Sequence, residues 1–289
     1  MSKKKSFDKR MQAKIEDVTN RQQADKATQV RQYRINPAVC SMPWWKQLLW
    51  IAVWLTWLIV AWLMASTILA FILVVIRRVG GNDLMSSTVG VAIVQSSLFL
   101  LLLILFSSVP YLFGQNSHLT KAKKRSDKMH VMGLGRLPES NDLLHAVIGL
   151  AAYYLIAGLI AGLAGLVLSD GLLSQAQETG YQVIGNNWLD VVVIIVSLAL
   201  VTPLLEELIF RGFLFGKLVQ TTNLVPAIIV TSAVFALAHG QLNVALVTFV
   251  MSGISCLLRL KTGAIWASIG LHMFINLVAS ILVFILPML

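Results

Sequence analysis

The chain has 289 residues, of which 57% are hydrophobic and 12% charged, with a formal net charge of +10 and a mean hydropathy of +0.78. That balance excludes a soluble globular domain, in which roughly 25% of residues are charged. The apolar runs are about 20 residues or longer and continuous rather than alternating, so they predict an all-α polytopic membrane protein and favour helices over a β-barrel, whose strands would alternate.

Residues 1–42 form the first region. Ten Lys and Arg precede Asn36, and so polar a stretch cannot bury enough surface to fold by itself. It reads as a basic, largely disordered cytoplasmic tail, and the apolar run behind it reads as a retained signal anchor. Residues 43–186 form the second region, with three predicted spans. The first runs from about Trp45 to Ile76 and carries Trp44, Trp45, Trp50, Trp54, Trp57 and Trp62, several of them near its start, where an interfacial aromatic belt belongs. The second runs from about Thr88 to Phe113. A basic loop follows, with six Lys and Arg between Lys121 and Arg136. The third span, about Leu143 to Leu168, holds Gly158 and Gly162 at a spacing that lets another helix approach closely.

Residues 187–289 form the third region. Its spans are about Trp188 to Leu218, interrupted by Pro203, then about Leu224 to His239, Leu242 to Leu258 and Ala264 to Leu286. The count is seven, or eight if a long helix breaks. Basic flanks place the tail and the Lys121–Arg136 loop in the cytoplasm, and the loop Ser169–Asn187, which has no Lys or Arg, outside. Arg211, Lys217, Arg259 and Lys261 then fall toward cytoplasmic ends, while Arg77 and Arg78 land outside, against the rule. Basic residues so placed meet anionic lipid headgroups, and no nucleic-acid motif accompanies them. Cys40 and Cys256 are too few for a disulfide framework.

Of thirteen acidic residues, only Glu206 and Glu207 lie well inside a span, where an ionisable side chain is by default functional. Arg211 follows Glu207 by one turn and can neutralise it. Glu206 points about 100 degrees away and has no such partner. His239 closes the fifth helix, and His272 lies one turn before Asn276 in the seventh. From the helical rise, Glu206 is about 16 Å from the end near Lys217, His239 about 21 Å from Val225, and His272 and Asn276 about 13 and 20 Å from Gly263. The four therefore share one layer. A carboxylate, two imidazoles and an amide supply a general base for water, groups to orient it or hold a metal, and a donor for an oxyanion. No serine-nucleophile or zincin motif is present.

The run Glu206-Glu207-Leu208-Ile209-Phe210-Arg211, the F-A-L-A-H of Phe235 to His239 and the H-M-F-I-N of His272 to Asn276 resemble, in this order, the three motifs of the CPBP intramembrane protease family. That family groups CAAX prenyl proteases with bacteriocin-processing and bacteriocin-immunity (Abi) proteins. The match covers about Asn187 to Leu289. It implies Glu206, His239, His272 and Asn276 as catalytic residues, and Glu207 with Arg211 as the structural ion pair. It also admits either a zinc ion held by Glu206, His239 and His272 or the slightly preferred metal-free mechanism in which Glu and His activate water. The expected function is an intramembrane endopeptidase acting on a membrane-associated protein or peptide, in a bacterial plasma membrane. The alternatives are a non-catalytic immunity or regulatory protein that binds a partner through its helices, and a proton-coupled transporter, against which stands the lack of an internal repeat.

Overall fold

The computed structural model describes residues 42–79, 84–112, 129–166, 181 and 187–286. The basic tail with Cys40, most of the basic 121–136 stretch and the 169–180 connection lie outside these residues. Among the described residues the chain is helical with no strand, and six helices are long and apolar enough to cross a membrane. The chain is an all-α polytopic integral membrane protein.

The crossing helices are α1 (Trp44–Arg78), α2 (Thr88–Leu112), α3 (Ser140–Gly165), α4 (Trp188–Thr221), α6 (Leu242–Thr262) and α7 (Trp266–Ile285). The seventh apolar helix, α5 (Leu224–Leu237), has 14 residues. That is about 21 Å of rise against roughly 30 Å of hydrocarbon. Seven spans were expected; among the described residues six helices reach that length, and the seventh, α5, is shorter than a full crossing and ends before His239.

The core gathers around α4. Ile209, Phe210, Phe213, Leu214, Phe215 and Leu218 are buried against Trp54, Leu58, Ala61 and Ala65 of α1 and Leu102 and Phe106 of α2. Phe213 receives edge contacts from Phe106 at 4.7 Å and Trp54 at 6.0 Å between ring centroids, and the Trp57 indole donates to Phe106 O at 3.1 Å. Lys217 lies 5.7 Å from the centres of the Trp54 and Phe213 rings. The outward faces of α1 and α3 are large and apolar, with Leu63, Phe71, Leu155 and Leu159 exposed. In a soluble protein such faces would aggregate, and here they meet lipid.

One expectation is not met. Gly158 and Gly162 face open space, since a Cβ at either would meet nothing within 4 Å. Their spacing serves no helix contact within this chain among the described residues.

Helix α4 is not a uniform α-helix. It is α-helical over Trp188–Val196, π-helical over Ser197–Val201, α-helical over Thr202–Glu207, π-helical over Leu208–Leu214 and α-helical over Phe215–Thr221. The Thr202 and Phe215 amides reach back five residues, to Ser197 O and Phe210 O. Pro203 lacks the amide that would bond Ala199 O, which favours the first wide turn. Wide turns of this kind loosen the backbone ladder and recur at functional sites. The short α-helical piece between the two carries Glu206 and Glu207.

Candidate active site

Glu206 and Glu207 enter from α4, His239 from the turn after α5, and His272 and Asn276 from α7. Glu207 and Arg211 are both fully buried, with Glu207 Oε1 2.9 Å from Arg211 Nη1. Nη1 has no well-aligned hydrogen-bond acceptor, so the pair is a charge contact rather than a linear bond. The other side of the guanidinium lies against the Phe235 ring, 4.3 Å from its centroid. Ring face and carboxylate together offset part of the desolvation of the cation.

His272, also buried, stands between the two carboxylates. Its Nδ1 is 3.0 Å from Glu207 Oε1, and its Nε2 is 3.6 Å from Glu206 Oε2. Glu207 therefore does more than brace α4 through Arg211: it holds the imidazole. An ionised carboxylate can only accept, so the Nδ1–H of His272 donates to Glu207 and Nε2 is left facing Glu206.

His239 lies in the surroundings of Glu206, and Asn276 follows His272 by one turn of α7. The charged and titratable neighbours of Glu206 are His272, His239, Arg211 and Glu207. His239 Nδ1 is 2.9 Å from Phe235 O, and its ring packs on Phe235 at 4.9 Å. Asn276 Nδ2 donates to Leu198 O at 2.9 Å, in the first wide turn of α4. One of its two amide hydrogens is thereby engaged.

Among the described residues no three His, Cys, Asp or Glu side chains converge as a metal-holding group. His272 and His239 each place Nδ1 against a protein oxygen and keep Nε2, the disposition usual for ligating histidines, so those two nitrogens and Glu206 are the groups that would hold a zinc ion.

Residues 187–278 match the family model described as Type II CAAX prenyl endopeptidase Rce1-like. The curated "Putative membrane peptidase YdiL" of Bacillus subtilis (strain 168) is 31% identical over 136 residues, 45% of this chain and 55% of that protein. The chain spans about half the length of the curated relative it matches. No solved structure matches. The resemblance to the CPBP family seen in the three motifs is thus reproduced, and the matched segment holds every motif residue from Glu206 to Asn276.

Two participants carried no signal as functional residues. Phe235 belongs to the second motif, yet its place at the centre appears only in three dimensions, with Phe210 at 5.0 Å, His239 at 4.9 Å and His272 at 5.7 Å around its ring. Arg259 was expected at a cytoplasmic helix end as a topological charge. It does lie in the last turn of α6, and it is also fully buried and bonded to the backbone of α4.

Proposed function

We propose that this protein is an intramembrane endopeptidase, CAAX-protease-like, in which Glu206 activates the hydrolytic water. The observation that carries this reading is the Glu207–His272–Glu206 series. Its first contact orients the imidazole through Nδ1, and its second sets Nε2 and the Glu206 carboxylate side by side at 3.6 Å.

A water seated against both can direct one hydrogen to each and its own lone pair at a peptide carbonyl. Glu206 accepts the proton as hydroxide adds to the carbonyl carbon. The carbon–nitrogen bond then breaks as Glu206 returns the proton to the leaving amine. The negative oxygen formed in between needs donors, and the second amide hydrogen of Asn276 is available for that role. His239 gives Nδ1–H to Phe235 O and keeps Nε2 to hold the water or the departing amine.

The proposed substrate is a membrane-associated protein or peptide, with bacteriocin processing or immunity as settings open to the same chemistry. In this reading the chain sits in a bacterial plasma membrane with its N-terminus cytoplasmic, and the regions 1–42, 43–186 and 187–289 serve as tail, accessory helices and catalytic core. The test is cleavage of membrane-anchored quenched-fluorescent peptides, prenylated CAAX peptides among them, by protein in liposomes. Glu206→Gln keeps the shape of the side chain but not its basicity, so cleavage should fall about 10³-fold at unchanged protein level. Wild-type cleavage by Glu206→Gln would overturn the base assignment. A wild type that cleaves no peptide would return the chain to the binding or immunity class.

A further inference from the structure

The pair Glu206 and Glu207 is useful only if α4 presents it in the right rotation, and that rotation depends on the wide turn Leu208–Leu214. A wide turn amounts to an extra residue in an α-helix, so its loss would swing the glutamates by about 100 degrees relative to the lower half of α4. Something must hold it open. Arg259, on α6 and fully buried, donates from Nη1 to Gly212 O at 3.1 Å, inside the wide turn. Its Nη2 donates to Val131 O in the segment ahead of α3.

The surroundings are shaped for this fork. Gly216 faces the crossing, where a Cβ would lie 2.6 Å from Val131 O and 3.0 Å from Arg259 Nη2. Gly133 has φ of +71°, and a Cβ there would lie 2.9 Å from Ile265 Cγ2. Its carbonyl accepts from the Ile265 amide at 3.1 Å. The segment is tied again at Arg136, whose carbonyl accepts from the Trp266 indole at 2.8 Å and whose guanidinium grips Asp142 at 2.7 and 2.5 Å. The Asp142 carboxylate raises the Arg136 pKa above its ordinary value, so that grip persists at any physiological pH.

We propose that Arg259 is a positioning residue for the active site: by bonding Gly212 O and Val131 O together it locks the wide turn of α4 and thereby aims Glu206 at His272. The proposal rests on the peptidase reading for its catalytic consequence, but the aim of Glu206 can be measured without a substrate. Arg259→Met removes the fork. In the peptide assay kcat should fall about 10²-fold with KM near wild type, as expected when a reacting group is misplaced and substrate binding is not. Arg259→Lys should recover part of the loss, since an ammonium lacks the planar fork. Gly216→Ala, with Arg259 intact, should reproduce the defect by forcing Val131 O and the guanidinium apart, whereas Gly158→Ala, in open space, should leave kcat unchanged.

In parallel, carbodiimide modification of Glu206 is followed by mass spectrometry on monodisperse protein. Its rate should change in Arg259→Met and Gly216→Ala and stay constant in Gly158→Ala. If Arg259→Met does not fold, Arg259→Lys and Gly216→Ala carry the same comparison. Folded variants with wild-type kcat and wild-type Glu206 reactivity would overturn the proposal. A wild type without peptidase activity would remove the catalytic reading, while the modification rates would still decide whether Arg259 aims Glu206.

Discussion

Adjacent glutamates in one helix have unlike surroundings here. Glu207 is fully buried between Arg211 and His272, while the Glu206 side chain retains 12% exposure and lies 3.6 Å from His272 Nε2. The chemistry of each follows from that difference. Removing the cation at Arg211 leaves a buried carboxylate without its charge partner. Arg211→Met should therefore lower stability by about 3 kcal/mol, read as a lower unfolding temperature in detergent, and Glu207→Gln should do the same for the opposite charge. The double variant should be less damaged than the sum of the two, because no charge is then left unpaired. Strict additivity would show that the two side chains do not act as a pair.

At the scale of the element, α4 is a helix with two wide turns, each held by a polar side chain from another helix. Asn276 of α7 binds Leu198 O in the first, and Arg259 of α6 binds Gly212 O in the second. The motif residue Asn276 thus has a structural task beside the oxyanion role proposed for it. Asn276→Ala should speed hydrogen exchange of the Ser197–Thr202 amides by about tenfold, the factor equivalent to one lost hydrogen bond of about 1.4 kcal/mol. Unchanged exchange together with a fall in kcat would assign Asn276 to the reacting oxygen alone. The wide turns left no mark in the hydrophobic pattern, which reads α4 as one long apolar run. Pro203 pointed to a bend, but which carbonyls the bend releases depends on the donors opposite.

At the scale of the molecule, one end of the bundle brings together Val131 to Arg136, the Gly212–Gly216 part of α4, the end of α6 and the start of α7. This is the arrangement expected if the Lys121–Arg136 loop and the Arg259–Lys261 stretch share one side of the membrane. It holds whether or not the short α5 completes a crossing, since α6 returns to the same side either way. Basic residues favour the cytoplasm for that end. In a background without Cys40, a cysteine at Ser126 should react with an impermeant thiol reagent only from the cytoplasmic side, and one at Gln175 only from outside. Labelling of both from one side would break the proposed orientation.

The sequence by itself determined what depends on composition and on residues close along the chain. Long apolar runs require helices in lipid, an acidic pair inside a span requires a neutralising partner, and Arg211 one turn after Glu207 supplies it. The ordered motifs named the family and the residues Glu206, His239, His272 and Asn276. Only the tertiary structure decided how they meet, because contacts between helices depend on rotation and tilt, which a rise per residue does not carry. It turned Glu207 toward His272 as well as Arg211, put Phe235 at the centre, spent one hydrogen of Asn276 on Leu198 O and left Gly158 and Gly162 facing open space. It also buried Arg259, in the last turn of α6, against backbone carbonyls 47 and 128 residues away along the chain. A carbonyl has no residue type, so no motif could announce it.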